Sequence, residues 1–151
     1  MLQSGRPTEQ VRDNSLQSEF VQLQAELDFI ALYADLLQVR YRHSLHIDLP
    51  VYISSLDLTR NVLPLSLLTL VDNALKHNTM TVDKPLLITV EITPNGWLQV
   101  TNNRQQKTIR LETTRAGLVS LVARYELLSQ EPVVVEATDN YFRVALPLLP
   151  L

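Results

Sequence analysis

Residues Val62–Asn78 read VLPLSLLTLVDNALKHN. Asn61 is a plausible N-cap, Pro64 sits in the tolerated first turn, and Leu67, Leu70, Val71, Ala74 and Leu75 recur at helical spacing, so a helix is predicted here. Thr69, Asp72, Asn73, Lys76 and His77 fall three and four apart and share one polar stripe opposite those apolar residues. An amide oxygen, a carboxylate, an ammonium and an imidazole within two turns are the parts needed to hold a hard cation and polyphosphate. Taken alone, such a stripe is more often the solvated face of an amphipathic helix, and its neighbours decide between the two.

Upstream, Leu16, Phe20, Leu23, Leu27, Ile30, Ala34, Leu37 and Tyr41 alternate in steps of four and three, an a/d seam on a helix about 40 Å long that calls for a partner helix. Val21, Ala31, Leu32, Leu36 and Val39 widen the stripe, so part of this helix is expected to pack on its own domain, and packing there alone is an equal alternative. Leu45, Ile47 and Leu49, closed by Pro50, read as a strand. Downstream, Leu86–Ile92 and Trp97–Thr101 flank Asn95-Gly96, the residues of a type I′ hairpin turn. A third helix is expected over Arg115–Ser129, with Leu118, Leu121, Val122, Tyr125 and Leu128 inward. A second hairpin follows over Val133–Ala137 and Tyr141–Leu146, turning at Asp139-Asn140. Helix, strand, helix, hairpin, helix, hairpin indicates an α+β sandwich with helices on a mostly antiparallel sheet, preceded by a long N-terminal helix. Residues 1–14 are expected to form a disordered leader, 15–43 a dimerisation or linker helix, and 44–151 the compact domain.

Composition narrows the function. The chain has 151 residues, 46% hydrophobic and 19% charged, with a net charge of −3, which suits a globular protein and gives nucleic acid no basic surface. No bilayer-length apolar run and no signal peptide are visible, so a cytoplasmic location without membrane contact is expected. Cysteine is absent, which removes thiolate nucleophiles, disulfides and cysteine metal sites. Only Gly5, Gly96 and Gly117 are available, so neither a GxxxxGK phosphate loop nor a GxGxxG dinucleotide turn can be built. A GxSxG elbow is missing too. His43 and His46 lack a third ligand pattern and are expected at the surface.

Leu70-Val71-Asp72-Asn73-Ala74-Leu75-Lys76-His77-Asn78 closely resembles the N box of LytS-like sensor histidine kinases, within the GHKL ATPase superfamily. Glu26–Ile30 through Gln38–Tyr41 is similar to the helix before that family's ATPase fold, and Leu63-Pro64-Leu65 to its lead-in to the N box. Val100–Asn103 stands at the place of the first glycine box, and Arg115–Leu118 with Ala123–Leu128 at the second and the helix beyond it. The likeness runs from about Leu16 to Leu149 by order and spacing.

The resemblance implies the Bergerat sandwich, with ATP lying between the helix layer and a lid formed by Asn102–Thr114. By position, Asn73 would ligate magnesium, Lys76 and His77 would approach the phosphates, and Asn102 would accept the adenine amino group in place of an aspartate. Gly117 would let phosphate meet backbone N–H groups, and Arg115 either compensates for lost backbone donors or plugs the site. It further implies a homodimer and a LytTR-type response regulator as partner. Asn103, Arg104 and Gln106 stand where glycines permit close approach in the family. The PHFLFN-like stretch that carries the phosphoacceptor histidine is not found in the sequence, so the acceptor and sensor of a membrane-bound kinase would lie upstream. Two functions stay open: the ATP-binding domain of a histidine kinase, or a degenerate dimerising and partner-binding module.

Overall fold

The computed structural model describes residues 20–105 and 116–150. The expected leader, Leu16, Gln106, Arg115 and most of the expected lid lie outside these residues.

Phe20 leads into a two-residue strand, β1 (Val21–Gln22), followed by helix α1 (Leu23–Tyr41) and a 3-10 turn at Arg42–Ser44. Then come β2 (Leu45–Asp48), the one-turn helix α2 (Ser55–Leu58), β3 (Asn61–Val62), α3 (Ser66–His77), β4 (Leu86–Ile92), β5 (Trp97–Asn103), α4 (Ala116–Leu128), β6 (Val134–Ala137) and β7 (Tyr141–Pro147). Five strands form one sheet in the order β2-β4-β5-β7-β6. Only the β2–β4 pair is parallel, and the other three pairs are antiparallel. The expected α+β sandwich of helices on a mixed, mostly antiparallel sheet is the observed architecture.

Period-two alternation sets the sheet against the helices. Leu86, Ile88 and Val90 of β4, Leu98 and Val100 of β5, and Val144 and Leu146 of β7 are buried in one core with Leu67, Leu70, Val71 and Ala74 of α3 and Leu118, Leu121 and Tyr125 of α4. Burying side chains of this size contributes about 1.5–3 kcal/mol each against leaving them in water.

Three local expectations change. The long helix starts at Leu23, because Val21–Gln22 pairs with Asn61–Val62 as a strand, and α1 is therefore about 28 Å long. The same pairing takes Asn61 and Pro64 out of α3, which starts at Ser66 after a left-handed Leu65 (φ 66°). The first hairpin is not closed by a type I′ turn. Thr93 O accepts Gly96 N at 3.0 Å, Trp97 O accepts Thr93 N at 2.9 Å, and only Gly96 has positive φ, at 82°. That is a type I turn with a glycine bulge: Pro94 fixes its own φ near −65°, which a type I′ turn cannot use.

Of the two readings of the seam on the long helix, the one in which it packs on its own domain describes Leu23, Ile30, Ala34 and Leu37. Leu23, Ile30, Ala34 and Leu37 are buried, and Leu23, Ile30 and Leu37 belong to the same core as α3 and β4. The residues expected to help pack the helix on its own domain, Leu32, Leu36 and Val39, are instead 67%, 69% and 74% exposed. The seam thus faces the domain, and the row of Leu32, Leu36 and Val39 faces outward.

Candidate functional site

Helix α3 is fixed at its N-terminus by groups from both neighbouring helices. Glu26 of α1 is buried, and its carboxylate accepts Leu65 N at 2.9 Å and Leu67 N at 3.1 Å. A helix start leaves such N–H groups unpaired and carries partial positive charge, so a buried carboxylate is stabilised there. Tyr125 of α4, fully buried, accepts Leu63 N at 3.0 Å. Ser66 Oγ donates to Leu63 O at 2.6 Å, so the 2.8 Å contact between Ser66 Oγ and Tyr125 Oη takes its proton from the tyrosine. Burial pushes the Tyr125 phenol up from its usual range, against the opposing pull of its hydrogen bonds to Ser66 and Leu63.

These anchors orient the polar stripe. Thr69, Asp72, Asn73 and Lys76 line a cleft of about 130 Å³ closed on its other side by Gly117 and Leu118 of α4. The Tyr33 hydroxyl of α1 donates to Asp72 Oδ1 at 2.7 Å. Burial first, and then the hydrogen bond to the Asp72 carboxylate and its charge, push the Tyr33 phenol from 10.0 to about 12. Asn73 is buried and Lys76 is exposed at the rim; among the described residues neither amide nor ammonium is engaged by a hydrogen bond or ion pair. A Cβ placed on Gly117 would meet Thr69 Cγ2 at 3.8 Å, an ordinary contact. Helix packing therefore does not demand glycine at this position.

The cleft gathers four of the five stripe residues with Gly117. His77 is buried and is not part of the cleft lining, since its position on the helix turns it toward the domain. Asn102 is buried on the helix-facing side of β5, and its Nδ2 donates to Asn103 O at 2.8 Å; it too lies outside the cleft lining. Arg115 lies outside the described residues. Tyr33 and Glu26 went unnoticed in the sequence because their contacts with α3 span about forty positions, and no local pattern encodes that.

Two of the positions at which glycines are replaced, Asn103 and Arg104, have structural work of their own, as does their neighbour Gln105; Gln106 lies outside the described residues. Asn103 Oδ1 accepts Leu87 N at 2.7 Å, and Asn103 Nδ2 donates to Pro85 O at 3.1 Å. Arg104 donates to Thr138 O at 2.6 Å. Gln105 Nε2 donates to Thr79 O and Lys84 O, each at 2.9 Å, while its backbone N donates to Asn78 Oδ1 at 2.7 Å. Side chains here staple three loops together where a glycine would leave the backbone open.

An amide oxygen, a carboxylate and a hydroxyl on one wall suit magnesium, which binds few protein ligands and completes its shell with water and phosphate oxygens. No group of three or more His, Cys, Asp or Glu side chains able to hold a metal occurs among the described residues.

The sequence matches no family model and no curated protein. Solved structures do match. The cytoplasmic segment of histidine kinase QseC superposes with a TM-score of 0.57 at 16% identity, covering 97% of this chain and 95% of that one. The catalytic domain of histidine kinase ThkA, in a nucleotide-free form, gives 0.52 at 14% identity over 87% of this chain and 97% of that one. The histidine kinase domain of the blue-light activated kinase from Erythrobacter litoralis EL346 gives 0.51 at 17%, over 85% and 66%. The chain has the fold of histidine kinase catalytic domains. No helix among the described residues is long and apolar enough to cross a membrane.

Proposed function

We propose that this chain is the ATP-binding catalytic domain of a two-component sensor histidine kinase of the LytS-like kind, a cytoplasmic unit that works as a homodimer and signals to a LytTR-type response regulator. The observation that carries this reading is the convergence of Thr69, Asp72, Asn73 and Lys76 with Gly117 on one cleft between α3 and α4. Asn73 would hold magnesium through its amide oxygen, and Lys76 would meet phosphate charge. Gly117 would let phosphate approach the start of α4, where helix N–H groups point outward. Arg115 would add a cation to the same phosphates, and Asn102 would accept the adenine amino group. Bound magnesium supplies charge neutralisation on the phosphates. The γ-phosphoryl group would pass to a ring nitrogen of an acceptor histidine outside His43, His46 and His77, the bond to the β–γ bridging oxygen breaking and ADP leaving.

A second reading, a degenerate module that binds partners without nucleotide, is favoured by the loop staples at Asn103–Gln105 and by the size of the cleft. At about 130 Å³ it takes a phosphate-sized group, whereas pockets for whole ligands run to roughly 300–1,000 Å³. Thermal unfolding with and without magnesium-ATP tests the choice. A ligand at about 100 times its Kd raises stability by about 2.7 kcal/mol, so a clear rise in Tm supports the kinase domain, and an unchanged Tm at millimolar ATP leaves only the module.

A further inference from the structure

Helices α1 and α3 are joined at two points with the same spacing on each. Glu26 accepts the backbone N–H groups of Leu65 and Leu67. Seven residues further along α1, Tyr33 donates to Asp72 Oδ1 at 2.7 Å, and Asp72 stands seven residues after Leu65. Seven helical residues rise about 10 Å, so the two helices run side by side in the same direction. The first joint fixes the start of α3. The second ends on a carboxylate that lines the cleft together with Asn73. Asp72 is only half-buried, so water could satisfy it, and burial alone does not explain why a tyrosine holds it.

We propose that Asp72 is a second magnesium-binding group of the cleft, beside Asn73, and that Tyr33 is the positioning residue that orients its carboxylate. The inference rests on the nucleotide reading of the cleft and adds to it two residues to which the resemblance gives no role. A carboxylate on the wall of a polyphosphate cleft repels the ligand unless a cation stands between them. Magnesium fits that place, since it binds through one or two carboxylates and completes its shell with water and phosphate oxygens. Asp72 would therefore reach it directly or through one of its waters. The chemistry of the contact points the same way. A phenol takes up one of the roughly four acceptor sites of a carboxylate and brings no positive charge, so the full negative charge stays available to the metal. A lysine or arginine at this position would hold the same oxygen but neutralise it. Groups that orient a metal ligand typically contribute about 10–100-fold in metal affinity.

The test is calorimetric titration of ATP, with excess magnesium and again with EDTA, into the wild type, Tyr33→Phe, Asp72→Ala, the double variant and Glu26→Gln. Circular dichroism checks that each is folded at the temperature used. With magnesium, Tyr33→Phe is expected to weaken binding about 10–100-fold and Asp72→Ala at least as much. The double variant should be no weaker than Asp72→Ala alone, because Tyr33 then has no carboxylate to orient. With EDTA neither substitution weakens ATP binding, and Asp72→Ala, having lost a repelling charge, binds as well or better. Glu26→Gln loosens the other joint without touching the carboxylate and should stay within twofold of the wild type. No binding of magnesium-ATP by the wild type overturns the nucleotide reading and this inference with it. Binding that is unchanged in Asp72→Ala or in Tyr33→Phe, or weakened alike with EDTA, overturns this inference and leaves the nucleotide reading standing. Additive losses in the double variant, or an equal loss in Glu26→Gln, mean that Tyr33 acts through helix placement and overturn its role at the metal.

Discussion

The Tyr33 hydroxyl lies 2.7 Å from Asp72 Oδ1, so α1 holds in place a carboxylate that lines the cleft on α3. A hydrogen bond to a charged group contributes about 1.5–3 kcal/mol when buried. Half-burial of Tyr33 reduces that, and Tyr33→Phe is expected to cost about 1–2 kcal/mol in urea unfolding. No loss of stability would mean that the contact carries no weight.

Alkaline pH should reveal the raised pKa of Tyr33, caused first by burial and then by the bond to Asp72. The folded-state value near 12 lies above the ordinary 10.0, so the contribution is complete below pH 10.0 and disappears as pH rises toward 12. The stability difference between the wild type and Tyr33→Phe is therefore expected to shrink across that window, read from urea midpoints at pH 8, 10 and 11.5. A difference independent of pH contradicts the raised pKa of Tyr33, to which burial contributes most and the Asp72 hydrogen bond next.

Glu26 is the cap that α3 lacks in its own sequence. Glu26→Ala removes the acceptor of two backbone N–H groups at the helix start and is expected to cost about 2–4 kcal/mol. Glu26→Gln retains one oxygen as acceptor and should recover part of that loss, measured by chemical denaturation of both variants.

Gly117→Ala separates ligand binding from packing. The added methyl meets Thr69 at an ordinary distance, and alanine restricts the unfolded chain, so stability should hold or rise by about 0.4–1 kcal/mol. If phosphate approaches the backbone there, magnesium-ATP affinity falls at least tenfold in the same variant. Unchanged affinity would remove Gly117 from the site.

Periodicity made most of the fold legible. The alternation in Leu86–Ile92 and Trp97–Thr101 and the apolar faces of α3 and α4 gave the elements, their order and the sheet's mostly antiparallel character. What failed was decided by tertiary contacts. Pairing of Val21–Gln22 with Asn61–Val62 moved two helix starts. Pro94 replaced the expected hairpin turn, although the sequence did contain that signal. At the site, helical spacing placed Thr69, Asp72, Asn73 and Lys76 together correctly but could not show that His77 turns inward. The roles of Asn103, Arg104 and Gln105 as staples depend on loops far apart in sequence, which only coordinates bring side by side.

Isothermal titration of magnesium-ATP into the wild type and into Asn73→Ala tests the nucleotide-binding proposal most directly. Asn73 lines the cleft, and an amide at the metal is needed only if magnesium and phosphate bind there. Micromolar binding by the wild type, weakened at least a hundredfold in a folded Asn73→Ala protein, is the predicted result. No heat at millimolar ATP, or equal affinity in the two proteins, contradicts it.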